Sequence, residues 1–142
     1  MDRITPVEIE EWIKRMGFRY FVDPELKDYN GLVIDIKPRI IVYFSNEMRY
    51  SHIMTLLKPL AKIDVPSRER FFKQLLETNA EWNLMKFVIM FRTIGIKIDF
   101  DLDSLSFDEF KDGFKALAVA HDEYKRLIEG QESDNMANAM YG

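Results

Sequence analysis

The stretch Met85–Leu102, MKFVIMFRTIGIKIDFDL, decides the fold. From Ile96 to Leu102 apolar and polar residues alternate without a break, the period of a strand with one dry and one wet face. Met85 to Phe91 is a β-rich run just upstream. The short connection between them carries a glycine, so Thr93-Ile94-Gly95 is the expected turn and the two runs form a hairpin.

Helical patterns flank this hairpin on both sides. Ser106-Phe107-Asp108-Glu109 reads as a capping box, in which a hydroxyl and a carboxylate three residues on satisfy each other's free backbone N–H groups. The helix it opens carries Phe110, Phe114, Leu117, His121, Tyr124, Leu127 and Ile128 on one side, and Gly130 is its expected end. Upstream, a helix starting near Pro66-Ser67 carries Phe71, Phe72, Leu75, Leu76, Asn79 and Trp82 along an apolar stripe. At the N-terminus, Thr5-Pro6-Val7-Glu8 is a second capping box, with Pro at the first helical position. Ile9, Trp12, Ile13 and Met16 follow at the spacing of one buried stripe. Gly17 supplies the left-handed residue after it.

Between the first two helices lie strand patterns. Phe18–Val22 is expected to turn Phe18, Tyr20 and Val22 inward; Leu32–Ile36 and Ile40–Phe44 follow, separated by Pro38. Residues 49–63 fit either helix or strand. Pro59 would break a helix and requires an edge or a bulge of a strand, and a bent strand is the reading adopted. The order is α-β-β-β-(β)-α-β-β-α. Short turns between consecutive strands imply an antiparallel sheet and an α+β class. Residues 1–130 are expected to form a single domain. Residues 131–142, with no periodicity and few large side chains, are expected to be a disordered tail.

The chain has 142 residues, 47% of them hydrophobic, and a net charge of −4. That supply of apolar residues is enough for a core without metals or disulfides. There is no Cys, which removes thiolate nucleophiles and Cys-bearing zinc sites. MDRITPVEIEEW lacks the apolar run of a signal peptide, and no apolar stretch is long enough to span a bilayer, so a cytoplasmic address without membrane is expected.

Chemistry has few candidate carriers. Asp99, Asp101 and Asp103 alternate on the second hairpin strand and offer either a divalent-metal or enzymatic carboxylate face, or an ordinary solvated sheet face. An EF-hand counted from Asp99 would need Gly at its sixth position and Glu at its twelfth, where Ser104 and Phe110 stand. Lys58, Lys62, Arg68 and Arg70, followed by Phe71 and Phe72, could hold single-stranded nucleic acid; the acidic total argues against it, and the pattern also fits a solvated helix entry. His52 and His121 belong to no metal-ligand pair. No Gly-rich phosphate loop or nucleophile elbow is present. Gly113, inside the last helix, implies close approach by the sheet or by a second subunit.

The stretch Leu75-Leu76-Glu77-Thr78-Asn79-Ala80-Glu81-Trp82-Asn83-Leu84-Met85-Lys86-Phe87 resembles the YbjN family, which is itself similar to the type III secretion chaperones, the CesT-like fold. Asn79 stands for the family's helix asparagine and Phe87 for its strand aromatic. Trp12, Ile13, Gly17 and Phe18 match its opening, and the element order matches over residues 5–130. The resemblance implies a non-catalytic protein-binding module, chaperone-like or a regulatory adaptor, commonly a homodimer, with no cofactor. No particular binding residue follows from it.

Overall fold

The computed structural model describes residues 3–82 and 84–141, and side chains as far as 125. Helix α1 (Pro6–Arg15) starts at Thr5, whose hydroxyl accepts from the Glu8 N–H at 3.3 Å. Gly17, at φ +81°, takes the left-handed conformation that ends it. Strands β1 (Tyr20–Val22), β2 (Leu32–Ile34), β3 (Ile40–Phe44) and β4 (Tyr50–Pro59) follow, then α2 (Val65–Glu81), β5 (Met85–Met90), β6 (Thr93–Asp101) and α3 (Phe107–Tyr141). The six strands form one antiparallel sheet in the order β1-β2-β3-β4-β6-β5. The α+β class and the element order expected from the sequence are those observed.

Alternate residues of each strand share a face. The inner face carries Ile34, Val42, Phe44, Ile53, Ile96 and Ile98, all buried. Ile9 and Ile13 of α1, Phe71 and Leu75 of α2, and Phe110, Phe114 and Leu117 of α3 pack into the same core. All three helices therefore cover one side of the sheet.

Within 49–63, Tyr50–Pro59 is the bent strand and Leu60–Lys62 a 3-10 turn. The β4–β6 register shifts between Leu56 and Lys58, and Pro59, paired with Thr93, closes the strand. This bulge is the device that lets a proline end an interior strand.

The β5–β6 hairpin turns earlier than its glycine suggests. The connection is Phe91-Arg92, both left-handed at φ 55°, as a two-residue turn that follows the strand twist requires. Gly95 lies within β6 instead. A Cβ there would sit 2.8 Å from the Thr55 carbonyl oxygen, so the glycine admits the backbone of β4 where that strand bulges. Val22 also departs from expectation: it is 60% exposed, because β1 is a three-residue strand at the sheet margin and Val22 is its last residue.

Helix α3 runs through Gly130, where the sequence reading ended it; an interior glycine costs a helix about 1 kcal/mol and does not by itself stop one. The expected tail, 131–142, lies outside the residues whose side chains are described.

Gly113 answers to the sheet. A Cβ at this position would lie 2.5 Å from the Phe100 ring and 3.4 Å from Ile53 Cδ1. Gly113→Ala gains about 1 kcal/mol of helix propensity, yet must displace a buried ring, an overpacking cost of about 1–3 kcal/mol. The expected result is a net loss of stability of up to about 2 kcal/mol in urea unfolding, and a larger loss for Gly113→Val.

Candidate protein-binding surfaces

The carboxylate and basic clusters considered in the sequence do not assemble. Strand β6 ends at Asp101, so Asp103 leaves the row. It pairs instead with Arg3 at 2.8 Å, while its N–H donates to Asp101 Oδ1 at 2.9 Å. Asp99 faces His52 and Lys97. Among the described residues no three His, Cys, Asp or Glu side chains group as a metal site requires.

Two of the four basic residues are engaged within the fold. Lys58 is buried and already engaged. Arg68 donates to the carbonyls of Leu60 and Ile63 at 3.1 and 3.2 Å, holding the 3-10 turn Leu60–Lys62 against the start of α2. Phe71 is core, and Phe72 is half-buried. Helix spacing, not a nucleic-acid platform, accounts for these aromatics.

The outer face of the sheet carries a polar ladder that the sequence did not reveal. Tyr43, His52 and Asp99 stand directly opposite one another on β3, β4 and β6. The Tyr43 and His52 rings lie 4.6 Å apart, His52 Nδ1 is 2.6 Å from Asp99 Oδ1, and Lys97 Nζ is 3.2 Å from the same oxygen. The hydrogen bond to His52, helped by Lys97, holds the Asp99 carboxyl below its usual range despite partial burial. The Tyr43 hydroxyl donates to Met90 Sδ at 3.3 Å. Burial, and then the charge of Asp99, pushes its pKa from 10.0 up to about 12.

That shift carries a sign. A folded-state pKa raised above the unfolded value stabilises fully below pH 10 and is lost as pH rises towards 12. In an ultraviolet titration of the six tyrosines, one phenol should ionise last, near unfolding, and Tyr43→Phe should remove that step. His121 lies 3.3 Å from Asp122, on the wall of a hollow shared with Lys125, Arg39 and Leu56.

Two apolar grooves are the features that remain. The first runs between α2 and β5, has a volume of about 350 Å³, and is lined by Phe72, Leu75, Leu76, Phe87, Ile89 and Ile94. Leu76 is 67% exposed and Ile89 55%, although the sequence placed Leu76 on the buried stripe. The stripe is wider than the sheet edge it covers, so its outer margin faces away. The outward side of α2 continues this surface through Phe72 and Leu76, with Glu69, Lys73 and Glu77 beside them.

Strand β5 is an edge of the sheet, where unpaired backbone groups invite another strand. Asn79 blocks that pairing at the middle of β5. Its amide nitrogen donates to the Phe87 carbonyl at 3.1 Å, and its amide oxygen accepts from the Phe87 N–H at 2.7 Å. One side chain thus completes both groups of an edge residue, and the contact at this surface is left to apolar side chains. Asn79→Ala should strand both groups and cost about 1–3 kcal/mol, read from the urea midpoint. Trp82 and Tyr124 close over Phe87, their ring centroids 4.9 and 4.7 Å from its own.

The second groove lies between α1 and α3. Met16, Phe18, Ile36, Phe107 and Phe114 form its floor around a volume of about 470 Å³. Arg15, Lys111 and Lys115 stand on its rim.

One chain of the ExsC–ExsE complex superimposes with a TM-score of 0.57 at 14% identity, covering 83% of this chain and 88% of that one. The chain has the type III secretion chaperone-like fold. An uncharacterized protein from Methanothermobacter thermautotrophicus also superimposes, with a TM-score of 0.63 at 12% identity over 90% of this chain and 99% of the other. At such identities the likeness is one of fold. No protein-family model and no curated protein matches the chain, so the YbjN part of the sequence resemblance gains no support. Among the described residues no helix is long and apolar enough to cross a membrane.

Proposed function

We propose that this chain is a non-catalytic protein-binding module of chaperone-like or adaptor character, acting in the cytoplasm as a homodimer. The working domain in this reading is residues 1–130. The observation that carries it is the open apolar surface of α2 and β5, where Leu76 and Ile89 are more than half exposed. Apolar surface of this kind, gathered in a groove, is characteristic of sites that close against another polypeptide. The fold it shares with a chain of the ExsC–ExsE complex supports the same reading.

The charges beside the two grooves support a division of labour between them. A two-fold interface places a patch against its own copy, so the patch must suit itself. Beside the α2–β5 groove the charges are of both signs, Glu69, Lys73 and Glu77, which permits reciprocal pairing across a two-fold axis. This surface is therefore assigned to the second copy, and the α1–α3 groove remains open to a different chain.

The test is a native-lysate pull-down with the wild-type chain and with a Phe18→Asp/Ala118→Asp variant as baits. Ala118 and Phe18 both line the α1–α3 groove. Proteins held by the wild type and lost from the folded variant are expected; retention of the same proteins by both baits would refute the assignment of the α1–α3 groove, and retention of none by either would refute the reading.

A further inference from the structure

We infer that the α1–α3 groove receives an acidic polypeptide segment, anchored by apolar side chains and held by Arg15, Lys111 and Lys115; this rests on the protein-binding reading above and names the chemistry of its partner. The chain as a whole carries a net charge of −4 and repels acidic partners at long range. Yet every charged side chain lining this groove is basic. The sign of the rim runs against the sign of the molecule.

The three cations are placed for a ligand more than for the fold. The Arg15 guanidinium lies 4.2 Å from the centre of the Phe107 ring, a cation–π contact that fixes it at the mouth of the groove. Lys111 and Lys115 are four residues apart on α3, a spacing at which like charges weaken a helix. Both are exposed, and neither forms an ion pair with another described residue. An incoming run of carboxylates relieves that repulsion and meets the guanidinium together.

The floor sets the second half of the partner's chemistry. Phe18 and Phe114 stack at 6.0 Å, and Phe107 packs edge-on to Trp12 at 5.9 Å, giving a fixed aromatic wall. Such a wall accepts Leu, Ile or Phe side chains. A two-fold contact of this groove with its own copy is opposed by the rim, since two such rims would face each other with like charge. The partner is thus a segment in which Asp or Glu alternates with large apolar residues. Complementary charge of this kind speeds encounter and rejects basic chains, and its effect fades with salt.

A library of random 12-residue peptides displayed on phage, selected on the wild-type protein, tests this. The enriched peptides should interleave Asp or Glu with Leu, Ile or Phe. As synthetic peptides they should bind at least about tenfold more weakly to Lys111→Glu/Lys115→Glu, and more weakly to the wild type as salt rises. Circular dichroism should show that variant folded, because both lysines are exposed. Enriched peptides that are apolar without acidic bias, or that bind the variant equally, would overturn the acidic assignment and leave the protein-binding reading standing. Enrichment of nothing would overturn both. Tighter binding of a single-stranded oligodeoxythymidine, displacing the peptides, would overturn the inference in favour of nucleic acid.

Discussion

Replacing Phe110 with Ala should cost about 3–5 kcal/mol of stability, the largest single effect expected in this chain. Phe110 is fully buried and lies where three elements meet. Its ring centre is 5.7 Å from that of Trp12 on α1, 5.7 Å from Phe100 on β6 and 4.8 Å from Phe114 one turn along α3. Truncation removes the transfer energy of the ring and leaves a cavity that these three rings cannot jointly fill. Gly113 already brings α3 so close that Phe100 has no slack in that direction. Urea unfolding should show a lower midpoint with an unchanged slope. Val119→Ala is the control: it lies on the same helix, is 67% exposed, and should change stability by less than about 0.5 kcal/mol. Equal losses for the two variants would mean that α3 is not docked on the sheet as described.

The second large effect concerns association. Leu76→Asp combined with Ile89→Asp should weaken self-association by about a thousandfold or more. Each residue is more than half exposed in the single chain, so the substitutions leave the fold nearly untouched. In the dimer each would place a carboxylate in an apolar contact. Loss of one central apolar anchor costs about 2 kcal/mol or more, and two of them correspond to about three powers of ten in Kd. Val119→Asp, equally exposed but outside the α2–β5 groove, should leave association unchanged. Asn79 sharpens the test: because it occupies the Phe87 backbone groups, strand pairing through the middle of β5 cannot replace the lost side-chain contact.

Much of this architecture was legible in the residues. The capping boxes at Thr5 and Ser106 give α1 and α3 their starts, and the alternation of Ile96–Leu102 gives β6. Periodicity succeeded there because local preference and burial agree. It failed where tertiary contact overrides local signal. Gly95 looked like a turn residue, but its purpose is set by the Thr55 carbonyl of a strand distant in sequence. The turn fell on Phe91-Arg92, which carry no turn chemistry of their own. Leu76 fitted the buried stripe, yet the sheet ends before it.

The candidate site was less legible, for a physical reason. A groove is made by residues far apart in the chain, and its charge is a property of the assembled rim. Nothing in the sequence sets Arg15 and Lys111 apart from other helix cations; only packing of α1 beside α3 brings them to one mouth. The Tyr43–His52–Asp99 ladder depends on register across three strands, one of which had ambiguous periodicity. The Asp99, Asp101 and Asp103 row failed in the opposite way. It was visible in sequence, but the strand ends at Asp101 and each carboxylate finds a local partner.

Sedimentation equilibrium of the wild-type chain at micromolar concentrations tests the central claim most directly. The account predicts a mass twice the 16.9 kDa of one chain, falling to the single-chain value in the Leu76→Asp/Ile89→Asp variant. A wild-type mass of 16.9 kDa at every concentration would contradict it.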